Sequence, residues 1–248
     1  MSTGPNIVIL FGDDEDFAYP KNEFPFYLSE YNGTTLIELL VNSCANLNPA
    51  KIICMLPDVN VKKYHLHNMT AQMHPLTTVF PVHHSTNGAA CTALLASDII
   101  DTDAELIIIS ANEILDVSIE KIVNQYRTEG HDAGVVTFRS IHPRYSFARI
   151  DGANYVEEVA EKNPISPDAL AGIYWFNSGA MFVQAVKNMI RKDAKVDDSF
   201  YIAPALNELI LLHKRIGTYR VQPNQYHPLK NKSQTHAHSQ GVDTYEFS

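Results

Sequence analysis

The densest chemistry in the sequence is a run of four acids, Asp13-Asp14-Glu15-Asp16, directly behind Gly12. Consecutive carboxylates can surround a hard divalent cation, although such a run is more simply a solvated loop. Glu161-Lys162 sets an acid beside a base at the end of a strand-like segment, which reads as a surface pair unless a ligand site encloses it. His65-X-His67 and His83-His84 bring imidazoles together in pairs, without the cysteine or carboxylate partners that a zinc site requires. The three cysteines, Cys44, Cys54 and Cys91, each sit inside an apolar run with no metal spacing, so they read as buried thiols of a reduced, cytoplasmic protein. No Ser/His/Asp or Cys/His grouping suggests a nucleophile. Gly172 precedes the strand-like Ile173 to Phe176, where a glycine fits a close approach of backbone to a ligand.

Composition narrows the partners. At 248 residues, 45% hydrophobic and 19% charged, the chain can bury one substantial core, or two small ones sharing a sheet. Its net charge is −9, from 28 acids against 19 lysines and arginines, and a field of that sign repels the phosphates of a nucleic acid. Lys62-Lys63 and Lys214-Arg215 are too short to form a basic patch and read as solvated helix ends. The polar N-terminus leads directly into a strand, so no signal peptide is expected. No apolar stretch is long enough for membrane insertion.

Short β-rich runs alternate with helical periodicity through the first half. Strands are expected at Asn6 to Phe11, Lys51 to Leu56, Thr77 to Val82 and Leu106 to Ser110. Helices are expected at Thr35 to Cys44, Val61 to Met73, Asn87 to Ile100 and Ser118 to Arg127, the last ending at Gly130. This order predicts an α/β fold: a doubly wound, mostly parallel sheet with helices on both faces. Four strand-like runs then follow closely, at Ala133 to Phe138, Tyr145 to Ile150, Tyr155 to Ala160 and Leu170 to Phe176. Asp151-Gly152 signals a hairpin between the second and third. Helices at Ser178 to Arg191, with Ser178 as N-cap, and at Phe200 to His213, regular from Pro204, precede a last strand at Gly217 to Val221. Residues 1–223 read as one domain and 224–248 as a polar tail.

Several segments, in this order, resemble the bacterial sugar-1-phosphate nucleotidyltransferases that activate sugars for capsule and lipopolysaccharide. They are Asn87 to Ala96, Val136 to Ala148, Glu158 to Ile165, Ala171 to Phe176 and Phe200 to Ile210. The resemblance implies a GT-A-like, Rossmann-like fold, with nucleotide and sugar phosphate as small-molecule partners and Mg²⁺ as cofactor. It also implies attack of a sugar phosphate oxygen on the α-phosphorus of a nucleoside triphosphate, releasing pyrophosphate.

Carried over residue by residue, the resemblance gives Glu161 the sugar hydroxyls and Lys162 the phosphate, with Lys162 and Lys21 as the catalytic cations. Gly12, Asn87, Gly88 and Gly172 join Glu161 and Lys162 as substrate-binding positions, and Asn112 with Glu113 take the metal position. The departures concentrate on triphosphate and metal. Gly12 is followed by four acids rather than by further glycines and an arginine. At about 5 Å, a charge of the wrong sign costs on the order of 3 kcal/mol at an effective dielectric near 20. Phe26 stands where the family has a lysine, and Lys21 could substitute only from another position. The neutral Asn112 replaces the metal carboxylate, with Glu113 or Asp116 as stand-ins. Gln222 to Pro228 holds no second aspartate, only His227, whose imidazole suits Zn²⁺ or Mn²⁺ better than Mg²⁺. His142-Pro143-Arg144 lies within a resembling segment, where a structural or homo-oligomer-contact role weighs at least as much as a catalytic one.

Three readings follow. One is a pseudoenzyme of nucleotide-sugar and surface-polysaccharide metabolism that keeps a sugar-phosphate pocket and has a degenerate triphosphate site. The second is an active, divergent nucleotidyltransferase joining a nucleoside triphosphate to a sugar phosphate or another phosphorylated metabolite. The third, a GT-A glycosyltransferase, lacks an Asp-X-Asp motif at a strand end.

Overall fold

A computed structural model of the chain describes residues 4–12, 24–31 and 33–229. In chain order, β1 (Asn6–Leu10) leads to an antiparallel pair, β2 (Glu30–Tyr31) and β3 (Thr34–Thr35), and then α1 (Leu36–Ser43). Next come β4 (Lys51–Pro57), α2 (Asp58–Lys63), α3 (Leu66–Met73), β5 (Thr77–Val82), α4 (Ala89–Leu94) and α5 (Ser97–Ile100). The middle of the chain forms β6 (Leu106–Ser110), β7 (Glu113–Leu115), α6 (Ile119–Glu129), β8 (Ala133–Arg139), β9 (Ser146–Ile150) and β10 (Val156–Glu161). The last part forms β11 (Asp168–Phe176), α7 (Gly179–Arg191), α8 (Ile202–Leu211), β12 (Ile216–Arg220) and β13 (Tyr226–Pro228).

Among the described residues, nine strands share one mixed sheet. Strands β6, β1, β4 and β5 lie parallel, in that order. The next strand, β11, is antiparallel to β6 on one side and to β8 and β9 on the other. Strand β12 runs parallel to β8, and β9 with β10 forms the expected antiparallel hairpin. The loop of that hairpin is tied by Asp151 Oδ1, which accepts the N–H groups of Ala153 and Tyr155, both at 2.8 Å.

The β-branched run of β1 is buried on both sides, and its alternation divides it between two cores. Ile7 and Ile9 join Ile107, Ile109 and Trp175 under α1, α3 and α6. Val8 and Leu10 join Ile108, Tyr174 and Phe176 under α4, α5, α7 and α8. The α/β, doubly wound arrangement with helices on both faces is therefore the one the alternation predicts.

The details depart from the sequence reading in several places. The helix expected over Val61 to Met73 is two, because His65 takes a left-handed φ of 51° and turns the chain so that Leu66 is buried. The helix expected over Asn87 to Ile100 divides between α4 and α5. Helix α8 starts at Ile202 with Pro204 in its first turn, where proline leaves no lost hydrogen bond. Ser178 precedes α7 but does not cap it, since its hydroxyl donates to the Thr102 carbonyl at 3.1 Å. Strand β7 goes unforeseen, as does its partner β13, in which Tyr226 pairs with Leu115 and Pro228 with Glu113. A loose tail from residue 224 does not describe residues 224–229: Tyr226 and Leu229 are buried, and the Leu229 N–H donates to the Asn112 carbonyl at 2.8 Å. Residues 230–248 lie outside the described residues. No helix among the described residues is long and apolar enough to cross a membrane.

Candidate functional site

A cavity of ≈ 700 Å³ opens where the parallel strands end. Phe11 and Gly12 follow β1, Pro57 closes β4, Val82 closes β5, and Ser110 and Asn112 stand at the end of β6. This is the side on which open α/β sheets bind ligands, because the strand ends and following loops leave polar backbone facing a crevice.

One end of the cavity is built by the β9–β10 hairpin. Register places Glu161 opposite Ser146, whose hydroxyl donates to the Glu161 carboxylate. The next residue, Lys162, is left-handed with φ 54°, and its N–H donates to the Tyr145 carbonyl at 3.0 Å. Its ammonium donates to Asp197 at 2.8 Å and lies 5.1 Å from the Tyr201 ring centroid. The bond to Asp197, then that to Tyr201, raises its pKa, so Lys162 carries its charge throughout the physiological range. Arg144, also lining the cavity, holds its guanidinium 4.8 Å over the Tyr145 ring. The outer side of β10 is secured by Asn207 of α8. Its amide oxygen accepts the Val159 N–H at 2.9 Å, and its amide nitrogen donates to the Val159 carbonyl at 2.8 Å. An edge strand that would end in unpaired backbone is thereby fixed two residues before Glu161.

The other end gathers residues assigned to nucleotide and metal. Gly88 has φ 103°, and a Cβ there would stand 2.5 Å from the Phe200 carbonyl oxygen. The Asn87 carbonyl accepts the Phe200 N–H at 2.7 Å, and Ala90 N–H donates to the Phe200 carbonyl at 3.0 Å. The Asn87-Gly88 turn thus joins α4 to the segment before α8. Gly88 lines the cavity, whereas Asn87 is exposed and outside the lining. Gly172 lies where the pairing of β11 with β8 shifts register. A Cβ on Gly172 would meet Glu113 Oε1 at 2.3 Å and Ser110 Cβ at 2.6 Å. Its close approach is to these side chains, the Ser110 Cβ being the one that cannot rotate aside.

Glu113 accepts a hydrogen bond from the Tyr226 hydroxyl at 2.6 Å. Burial, with Glu113 and Tyr145 close by, pushes the Tyr226 pKa far up, so the phenol keeps its proton and remains a donor. Tyr226 also stacks on Phe138, ring centroids 3.7 Å apart. Burial raises the Tyr174 pKa too, helped by the charges of Glu161 and Glu113, so the two carboxylates share this phenol as a neighbour. Asn112 Oδ1 is buried with no hydrogen-bond partner among the described residues. Asp116 is not among the lining residues and pairs with His227, 2.7 Å from its Nε2.

Mg²⁺ takes six oxygens, usually one or two protein carboxylates with water and substrate phosphates. Here the described residues offer Glu113, already accepting from Tyr226, and the unpartnered Asn112 oxygen. No group of three or more His, Cys, Asp or Glu is placed for a metal among the described residues. They fit the cation only as a minority of its shell, with phosphate oxygens supplying the rest.

The structure therefore brings Gly12, Gly88, Asn112, Glu113, Glu161, Lys162 and Gly172 to one cavity. Lys21 and the acids Asp13 to Asp16 lie outside the described residues. Phe26 is buried in the core and brings no charge to the site. The sequence reading missed the cavity's aromatic walls, Tyr145, Tyr174 and Tyr201, and the hydroxyl of Ser146. For Arg144, whose side chain lines the cavity, it weighed a structural or oligomer-contact role at least as heavily as a catalytic one. Arg144, Tyr145 and Ser146 are consecutive and lead into β9 at the site's edge.

A mixed sheet of this topology, with helices on both faces and a cavity at its parallel strand ends, defines a doubly wound α/β protein. The nucleotidyl transferase family profile matches residues 18–209, and the chain belongs to that family. Its fold is similar to that of the nucleoside-diphosphate-sugar pyrophosphorylase from Vibrio cholerae RC9, with a TM-score of 0.80, 21% identity, and 94% and 99% of the two chains covered. It also resembles a Bacillus anthracis chain assigned as a glucose-1-phosphate thymidylyltransferase and solved with a sucrose, with a TM-score of 0.75, 14% identity, and 98% and 97% covered. A search of curated protein sequences returns no match.

Proposed function

We propose that this chain binds a sugar 1-phosphate at Glu161 and Lys162, and that its pyrophosphorylase activity is weak or absent. The observation that carries this reading is where the cavity's positive charge lies. Among the described residues, its lining lysines and arginines are Arg144 and Lys162, flanking Tyr145 on the hairpin side. Two cations suit a phosphate monoester of about −2 charge. A triphosphate roughly doubles that charge and calls for further cations where Gly12, Ser110 and Asn112 stand. The role in nucleotide-sugar metabolism for surface polysaccharide rests on the family's own chemistry, and cytoplasmic localisation on the reduced thiols.

The test is thermal denaturation against sugar 1-phosphates and nucleoside triphosphates, each with Mg²⁺ or Mn²⁺, beside a pyrophosphate-release assay. A sugar 1-phosphate at about 100 times its Kd should add about 2.7 kcal/mol, raising Tm by roughly 5–10 °C. Pyrophosphate should stay at background. Turnover of about 1 s⁻¹ or faster with any substrate pair would sink the inactive reading.

The second reading, an active divergent nucleotidyltransferase, is favoured by one observation: the unpartnered Asn112 oxygen stands beside Glu113 on the same cavity wall. When bound, Mg²⁺ would neutralise phosphate charge there. Asn112→Asp should tighten Mn²⁺ binding about tenfold, measured by calorimetry, because a hard cation gains a full charge. Unchanged affinity would show that position 112 does not face the ion.

A further inference from the structure

The hairpin ahead of α8 presses an anion against Lys162. Val196 and Ser199 exchange both backbone hydrogen bonds at 3.0 Å, so Asp197 and Asp198 are the central residues of a two-residue turn. Both are left-handed, with φ 47° and 59°, which is the type I′ form. That turn favours Asn-Gly or Asp-Gly, because a Cβ is strained there. Lys162 is left-handed as well, at φ 54°. Strained non-glycine backbone thus lies on both sides of a single ion pair of 2.8 Å, a pattern more typical of a functional contact than of surface decoration. Ser199 and Tyr201, which follow the turn, line the cavity beside Lys162, while the Asp197 side chain is 68% exposed.

We infer that Asp197 is an internal competitor for the phosphate group that Lys162 receives, so that a phosphorylated ligand displaces the carboxylate and releases the hairpin. This rests on the sugar-phosphate reading of the cavity. A carboxylate and a phosphate on one ammonium repel each other, and displacing an exposed carboxylate is a small task because water rehydrates it. The device weakens all phosphate binding a little. It leaves untouched a neutral sugar, which makes no claim on Lys162.

The experiment is calorimetric titration of wild type, Asp197→Asn and Lys162→Ala with glucose 1-phosphate, inorganic phosphate and glucose, at low and physiological salt. Asp197→Asn should bind glucose 1-phosphate and phosphate about 2–5-fold more tightly, the range expected for an exposed pair, and less so at higher salt. Its affinity for glucose should not change. Equal or weaker phosphate binding, with Tm retained, overturns the inference and makes Asp197 a positioning residue. If wild type binds the sugar phosphate through Lys162 but Asp197→Asn only matches it, the inference alone falls. If neither protein binds any phosphate, the sugar-phosphate reading falls with it. Should Asp197→Asn fail to fold, Asp197→Ser removes the same charge and must give the same sign.

Discussion

Lys162→Ala should weaken sugar 1-phosphate binding by about 10–100-fold while leaving the fold nearly as stable as before. A hydrogen bond to a charged group contributes about 1.5–3 kcal/mol, and binding loses that much when the ammonium goes. The folded state loses far less. The partner, Asp197, is 68% exposed, and such pairs contribute at most about 1 kcal/mol. Alanine meets the same left-handed backbone as lysine at φ 54°, and the backbone bond to Tyr145 persists. Tm should therefore fall by roughly 4 °C at most. Calorimetry for affinity and circular dichroism for Tm separate the two effects. Lys162→Arg, which keeps the charge but not the point geometry, should recover part of the affinity. Undiminished binding by Lys162→Ala would place the phosphate elsewhere in the cavity and remove the main support of the proposed function.

Gly88→Ala should give a large loss of stability. Gly88 combines φ 103° with ψ 170°, a region essentially reserved for glycine and costing about 1–3 kcal/mol for other residues. The added Cβ would also stand 2.5 Å and 2.7 Å from the carbonyl oxygen and nitrogen of Phe200. These are backbone atoms that cannot rotate aside, so the two chains must separate. Separation breaks the bonds from Phe200 to the Asn87 carbonyl and from Ala90 to the Phe200 carbonyl, each contributing about 1 kcal/mol. Together the loss is about 3–5 kcal/mol, a fall in Tm of roughly 6–20 °C. Gly152→Ala is the natural control, since nothing lies within 4 Å of its Cβ and its φ is not positive. A Gly88→Ala protein melting within a few degrees of wild type would mean that Phe200 and its turn move freely. That outcome would also weaken the case for a taut hairpin at Asp197.

Much of the architecture could be read from the residues. Ile7 to Leu10 and Leu106 to Ile109 declare central strands because a strand buried on both faces must be apolar without interruption. Gly130 ends α6 in a left-handed conformation at φ 66°, as its place after a helical run suggests. Glu161-Lys162, found through likeness to a family, does stand at the rim of the cavity. The breaks in the helices were not legible. Apolar periodicity runs on through Tyr64-His65, yet His65 turns left-handed there and Leu66 is buried.

The chain's own order of residue types determined the layers, the parallel half of the sheet and the segment carrying Glu161-Lys162, because periodicity and turn chemistry act over a few residues. The tertiary structure alone decided what those residues meet. Tyr226, in a stretch that reads as polar tail, reaches Glu113 across 113 positions because β13 docks on β7. Gly172 leaves room for Glu113 and Ser110 because β11 runs antiparallel beside β6, at the point where its pairing with β8 shifts register. Asp197 meets Lys162 across 35 positions because a tight turn and the edge strand end at the same corner. Such contacts depend on where separate elements finish in space, and no local pattern of residues encodes that.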